Sequence, residues 1–249
     1  MMRPKPLKRV IRYYRSRVAY VRDKREYIRL SRGQNRFIYF KENSIPVYSD
    51  RYKQAGSVDI HYYLQDIYMA RKVLEDGAQC IFDIGSRVDG FISHLIAAGV
   101  NVTMLDIRPL DVDIKGLSFV QTDATKLDGI PDGGIKYLSS LHAIEHFGLG
   151  RYGDRIDPNG WKDALEAMSH KLSEGGKLYL SVPIGINERL CFNAHRIFSP
   201  YTIGEALDNL YLESFSYIHD YRVIESDFDF FMKNGGDYDC GMFVFEKSK

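Results

Sequence analysis

The chain has 249 residues, 45% of them hydrophobic and 27% charged, with a formal net charge of +1. This composition fits a soluble globular protein with room for one large domain and a short appendage. No apolar run is long enough for a bilayer span. The basic, interrupted N-terminus does not read as a secretory signal, and Cys80, Cys191 and Cys240 show neither metal-type spacing nor an even count, so the expected setting is the reducing cytoplasm.

The charge is unevenly spread. Up to Arg32 lysine and arginine dominate, opposed only by Asp23 and Glu26. Leu7, Val10, Ile11, Tyr14, Val18 and Val21 recur at helical spacing, which predicts a basic amphipathic helix over residues 1–32. Two roles suit it: packing on the core with a solvated basic face, or docking on an anionic membrane or an acidic protein. Nucleic acid is the less favoured partner. Residues 33–58, polar and interrupted by Gly33, Pro46 and Gly56, read as a connector to a domain spanning 59–249.

From Val58 to Leu74 the spacing of Ile60, Leu64, Ile67, Tyr68, Arg71 and Leu74 predicts a helix, with Asp59 as its cap. An alternation then begins. Apolar runs at 80–84, 102–106, 117–121, 135–139 and 177–182 read as strands, the last stopped by Pro183. Helical patterns at 91–98 and 161–172 lie between them. Runs at 215–218 and 242–245 suit an antiparallel finish. The predicted fold is α/β, a doubly wound, mostly parallel sheet.

In such sheets ligands sit beyond the carboxyl ends of the strands. After the first strand comes Asp83-Ile-Gly85-Ser86-Arg87-Val-Asp89-Gly90. Gly85 allows a tight turn, and Gly90 opens the next helix. Asp106 ends the second strand, where a carboxylate can accept from ribose hydroxyls. Asp123 and Ala124 follow the third, where a carboxylate can accept from an adenine amino group. Ser139, Ser140, His142, Glu145 and His146 follow the fourth.

This ordered series resembles the class I S-adenosylmethionine-dependent methyltransferases. The resemblance implies a Rossmann-like seven-stranded sheet with an antiparallel C-terminal strand and S-adenosylmethionine as cofactor. Carried over, Asp83 and Gly85 hold the methionine part, Asp106 the ribose and Asp123 the adenine. Ser86, Arg87, Gly90, Ala124 and Ser140 join the expected cofactor site. The stretches DIGSRVDGF, LHAIEHFGLGRYGD and FNAHRIF are similar to a bacterial group known as DUF268, which resembles methyltransferases encoded among surface-polysaccharide genes. One departure stands out. The family's further glycines, two and four residues after the first, are here Arg87 and Asp89, and Gly90 comes one place late. Arg87 either donates to the ligand carboxylate, pairs with Asp89, or fills the ligand's space.

His142-Ala-Ile-Glu145-His146 also matches H-x-x-E-H, in which two histidines on one helical face bind zinc. A metal would need a third ligand from Glu174, Glu188 or His195. The reading preferred here places no metal and assigns His142, Glu145, His146 and His195 to proton handling. Arg151, Tyr152 and Asp154, on a glycine-rich loop, and Asn193 and Arg196, after the fifth strand, are the candidate substrate contacts. The expected activity is methyl transfer to a polar small molecule or glycan. The alternatives are a sugar- or nucleotide-modifying enzyme using the same cleft, or a non-catalytic scaffold.

Overall fold

The computed structural model describes residues 6–32, 39–41, 44–48, 60–111, 113–192 and 194–248. The expected Asp59 cap, Gly33, Gly56 and Asn193 lie outside them. The chain divides into two compact units, Met1–Val58 and Asp59–Lys249.

In the first unit, α1 (Pro6–Leu30) is a helix of 25 residues. Val10, Ile11, Tyr14, Val18 and Val21 are all exposed. Tyr48 packs edge-on against Tyr13 and Tyr20, with ring centroids 5.5 and 5.8 Å apart. Tyr20 and Ser44 share a hydroxyl hydrogen bond. No described helix is long and apolar enough to cross a membrane.

The second unit is built on one eight-stranded sheet. Its parallel part comprises β1 (Cys80–Ile84), β2 (Asn101–Asp106), β3 (Leu117–Gln121), β4 (Ile135–Leu141) and β5 (Leu172–Ile184). Between β5 and the end of the chain come a short hairpin, β6 (Arg189–Cys191) and β7 (His195–Ile197), and then β8 (Tyr211–His219), β9 (Arg222–Ser226) and β10 (Asp239–Glu246). The order across the sheet is β3-β2-β1-β4-β5-β10-β8-β9. β10 runs antiparallel to both β5 and β8. The order reverses at β1 and β4, which opens a crevice at their carboxyl ends.

The predicted mostly parallel sheet with an antiparallel finish is present, with two differences. An eighth strand, β9, occupies the edge, between the runs at 215–218 and 242–245, where no strand was predicted. β5 also runs through Pro183 to Ile184, because Pro183 pairs opposite Cys240 and its carbonyl accepts from the Phe198 N–H at 2.9 Å; a proline removes only a donor from the ladder.

Helices cover both faces, and strand alternation divides the core between them. Leu178, Leu180 and Val182 of β5 with Phe243 and Phe245 of β10 face α4 (Gly160–Lys171), α5 (Pro200–Ala206) and α6 (Phe228–Asn234). Tyr179, Met242 and Val244 face the opposite layer, with α2 (Ile60–Glu75) and α3 (Ser93–Ala97). Burying each such side chain contributes about 1.5–3 kcal/mol. The helix α2 corrects the predicted stripe. Its buried residues are Gln65, Met69, Ala70 and Val73, whereas Leu74 is exposed. A glutamine thus sits on the buried face directly beside the crevice.

Candidate functional site

Beyond the carboxyl ends of the strands lie two adjoining cavities of about 370 Å³ each. Both are lined by Gly85, Arg108, His142, His146 and Tyr152, so they form two halves of one cleft.

The first half is walled by β1, β2 and β3. Ile84, Leu105, Ala124 and Phe147 give it apolar surface, and Asp106 and Asp123 give it carboxylates. Gly85 has φ +73°, and a Cβ there would lie 2.9 Å from the Ala143 Cβ, so only glycine lets the turn pass. Asp123 Oδ1 accepts from the Thr125 N–H and hydroxyl at 2.9 and 2.8 Å. Asp106 is engaged by the Arg108 guanidinium at 2.9 and 2.6 Å and by its N–H at 2.8 Å. The same guanidinium lies 4.4 Å from the Tyr152 ring centroid. A ribose reaching Asp106 therefore displaces a local ion pair.

Several residues expected at the cofactor also brace the walls. Asp83 is fully buried and accepts from Ser86 N and Oγ at 3.0 and 2.7 Å and from Ser139 Oγ at 2.7 Å. Burial pushes its carboxyl up to about 6 against those hydrogen bonds. Ser140 donates to the Ile84 carbonyl at 3.1 Å and ties β4 to β1. At Gly90, a Cβ would lie 2.1 Å from Asp66 Oδ2, so this glycine admits the α2 carboxylate rather than a ligand. Arg87 pairs with Asp89 at 2.6 Å, both side chains mostly exposed, and Arg87 also lines the second half of the cleft.

The second half of the cleft is lined by Tyr62, Gln65 and Asp66 from α2, with Ser86, Glu145, Arg151, His195 and Tyr238. Here buried titratable groups collect. Glu145 is 1% exposed, and its Oε2 has no hydrogen-bond partner among the described residues. Burial pushes its carboxyl up to about 8. Burial pushes His142 down to about 3 and His146 to about 4, and lowers His195 as well. The three imidazoles are therefore neutral near pH 7.

The H-x-x-E-H stretch is not an α-helix. His142 has φ +50° and only Ile144–His146 form a 3-10 turn. His142 Nδ1 lies 3.2 Å from Ser181 Oγ and His146 Nδ1 2.7 Å from the Ala194 carbonyl. The shared helical face that a zinc pair needs is absent, and Glu188 is taken up by Ser199 and Thr202.

The expected substrate contacts divide likewise. Arg151 donates to the Ala194 carbonyl at 2.7 Å and lies 5.3 Å from the Tyr152 ring centroid. Tyr152 meets His146 edge-on at 5.4 Å. Both residues face the cleft. Asp154 gathers the N–H groups of Gly148, Gly150 and Tyr152 and shapes the loop. Arg196 is a correction. Its guanidinium donates to the carbonyls of Phe147 at 2.6 Å and Pro158 at 3.3 Å. His195 and Arg196 are neighbours on β7, so their side chains leave on opposite faces, and only His195 lines the cleft.

The sequence reading missed Tyr62, Gln65, Asp66, Arg108 and Tyr238. The available signal was polar Gln65 on a helix face that otherwise packs apolar groups.

Comparison with solved structures places this architecture. The 1,6-didemethyltoxoflavin N1-methyltransferase of Burkholderia thailandensis, with bound S-adenosylhomocysteine, is 14% identical. The match covers 75% of this chain and 80% of that one, with a TM-score of 0.53. The N-methyltransferase NodS of Bradyrhizobium japonicum, also with S-adenosylhomocysteine, is 15% identical over 74% and 86%, with a TM-score of 0.51. The chain has the fold of the class I S-adenosylmethionine-dependent methyltransferases. SpnF, a 4+2 cyclase, shares it too, at 11% identity over 74% and 80% with a TM-score of 0.54, so the fold alone does not choose the reaction. Residues 119–232 match the family described as Caenorhabditis protein of unknown function, DUF268. No curated protein matches the sequence.

Proposed function

We propose that the chain is an S-adenosylmethionine-dependent methyltransferase acting on a polar small molecule or glycan. The observation that carries this reading is the cleft itself: carboxylates Asp106 and Asp123 and the positive-φ Gly85 line one half, and neutral imidazoles line the other. The residues fit the cofactor. Asp106 would take the ribose hydroxyls once Arg108 yields, Asp123 the adenine amino group, and Leu105, Ala124 and Phe147 the ring. When bound, S-adenosylmethionine supplies a sulfonium methyl that an acceptor's lone pair attacks while the carbon–sulfur electrons return to sulfur. The chain's own task is alignment, exclusion of water and removal of the acceptor's proton. His142, at the junction of the two halves, is positioned for that last step, with Glu145, His146 and His195 around the acceptor. Isothermal calorimetry with S-adenosylhomocysteine tests the assignment; no heat at millimolar ligand removes it. Mass spectrometry of matched wild-type and deletion cells would identify the methylated product. A setting in surface-polysaccharide synthesis is what the DUF268 resemblance implies.

A second part of the reading concerns α1. Its exposed Val10, Tyr14, Val18 and Val21 lie among arginines and lysines, which suits the surface of an anionic membrane on the cytoplasmic side. Each such cation contributes about 1 kcal/mol near that surface, and salt screens it. Full-length chain should co-sediment with phosphatidylserine vesicles at low salt, and a chain lacking residues 1–32 should not. Equal sedimentation would leave α1 without this role.

A further inference from the structure

A chain of hydrogen bonds connects α2 to the imidazole at the centre of the cleft, and its polarity can be read from one end. The Asp66 carboxylate accepts from Gln65 Nε2 at 2.9 Å and also receives the Phe91 N–H. This fixes the Gln65 amide with its Oε1 turned away, toward β5 and β10. That oxygen accepts from Ser181 Oγ at 2.7 Å and from Cys240 Sγ at 3.4 Å. A serine hydroxyl has one proton, and here Gln65 receives it. Toward His142 Nδ1, 3.2 Å away, Ser181 Oγ can only accept. The proton on that bond therefore belongs to Nδ1. A neutral imidazole with hydrogen on Nδ1 has its lone pair on Nε2. Nε2 makes no hydrogen bond among the described residues, and His142 lines both halves of the cleft.

The backbone supports the same arrangement. His142 N–H donates to the Ser181 carbonyl at 2.9 Å, and φ +50° turns the residue out of the β4 ladder. A non-glycine residue holds such a conformation only where its surroundings over-determine it.

We propose that Gln65 and Ser181 are positioning residues that lock His142 as its Nδ1–H tautomer, so that Nε2 takes the proton of a hydroxyl acceptor. The inference rests on the methyltransferase reading for the reaction but not for the tautomer. The choice of a hydroxyl follows from the bare Nε2, an acceptor in the cleft that an O–H group satisfies by donating its proton. The lowering of His142 by burial is in keeping with this, since a weak base does not strip an ammonium group. An oxygen that gains a methyl while still carrying its proton becomes a strong acid, and a weak base suffices. In that step the oxygen lone pair forms the new O–C bond, and the hydroxyl proton passes to Nε2. His142 becomes imidazolium with both nitrogens protonated, and the ether leaves neutral.

The test is a long-range proton–nitrogen correlation spectrum of the full chain labelled with ¹⁵N-histidine, recorded at pH 7 without ligand. The His142 resonances are assigned from a His142→Gln sample. The expected spectrum shows Nδ1 protonated and Nε2 bare. Gln65→Leu frees the serine proton to donate to Nδ1 and should switch the signal to Nε2–H. Ser181→Ala, which removes the acceptor, should shift it in the same direction, and Ser181→Thr should restore the wild-type pattern. A wild-type spectrum with Nε2 protonated, or an unchanged spectrum in folded Gln65→Leu, overturns the proposal; if that variant does not fold, the wild-type spectrum and the Ser181 pair decide. Calorimetry with S-adenosylhomocysteine on the same wild-type sample is read separately: its failure would remove the methyl-transfer reading and leave the tautomer standing.

Discussion

The two halves of the cleft are held together in different ways. In the half walled by β1 to β3, the key contacts are local. Arg108 meets Asp106 two residues away, and Thr125 meets Asp123 two away. In the other half the contacts are distant in sequence. Ser181 meets Gln65 across 116 residues, Cys240 meets Gln65 across 175, and Arg151 meets Ala194 across 43. Strand-end loops can form a ligand site as soon as each turn closes. The other half exists only after α2, β4, β5, β10 and the β6–β7 hairpin have docked.

The sharpest break in this comparison is Gly85→Val. It combines a side chain at φ +73° with a contact of 2.9 Å to Ala143. Strain at such positions costs about 1–3 kcal/mol, and the displaced turn adds lost ligand contacts. Calorimetry should show S-adenosylhomocysteine affinity reduced on the order of a hundredfold or more. Affinity within a few-fold of wild type would mean that the ligand does not approach this turn.

Next in size is His142→Ala, which acts in the other half. Removing an acid–base group lowers turnover about 10²-fold or more, whereas S-adenosylhomocysteine affinity should change only a few-fold. Turnover and affinity falling together would erase the functional distinction between the halves.

The same contrast explains what could be read in the sequence. The apolar runs of β1 to β5, β8 and β10 were legible because buried strands need them. Asp106 and Asp123 were legible because strand ends place them. β9 was not: the turn that joins it to β8 uses Asp220 and Tyr221, both at positive φ, in place of the Asn-Gly pair that announces a tight hairpin. Arg196 was misread because adjacent residues of a strand cannot both face the cleft. Gln65 was missed because the partners of its Oε1 are more than 100 residues away. The bracing roles of Gly90 and Ser140, against Asp66 and the Ile84 carbonyl, were not legible because the sequence does not reveal which side of a wall a small residue serves.

A smaller effect separates the two charges of the ribose corner. Asp106→Ala removes one or two hydrogen bonds to a charged acceptor, about 1.5–3 kcal/mol, so S-adenosylhomocysteine should bind about tenfold to a hundredfold more weakly. Arg108→Ala removes the cation that the ribose must displace from Asp106, with which it forms contacts of 2.6 and 2.9 Å. This variant should bind about two- to threefold more tightly, since an exposed ion pair is worth only about 0–1 kcal/mol. Weaker binding by Arg108→Ala would show that the guanidinium contacts the ligand itself.

The smallest effect is read in stability rather than binding, and it belongs to Glu145. Its carboxyl is buried, its Oε2 has no hydrogen-bond partner among the described residues, and its Oε1 lies 3.6 Å from His146 Nε2, beyond hydrogen-bond range. Burial raises it from 4.5 to about 8. The folded protein therefore retains a proton that the unfolded chain releases above about pH 4.5. Stability linked to this group is complete below that pH, falls as pH rises, and is lost above about 8. His142 and His146, with imidazoles depressed to about 3 and 4, act in the opposite sense: their contribution is complete above pH 6.5 and is lost as pH falls through those values. Glu145→Gln removes only the alkaline limb. Its melting temperature should match wild type at pH 4 and exceed it by a few degrees at pH 8.5, with the acid limb unchanged. Equal melting at pH 8.5 would mean that the carboxylate already has a compensating cation, and its half of the cleft would then be no more strained than the other. If the ligand's ammonium group is that cation, saturating S-adenosylhomocysteine should raise the pH 8.5 melting temperature more in wild type than in the glutamine variant.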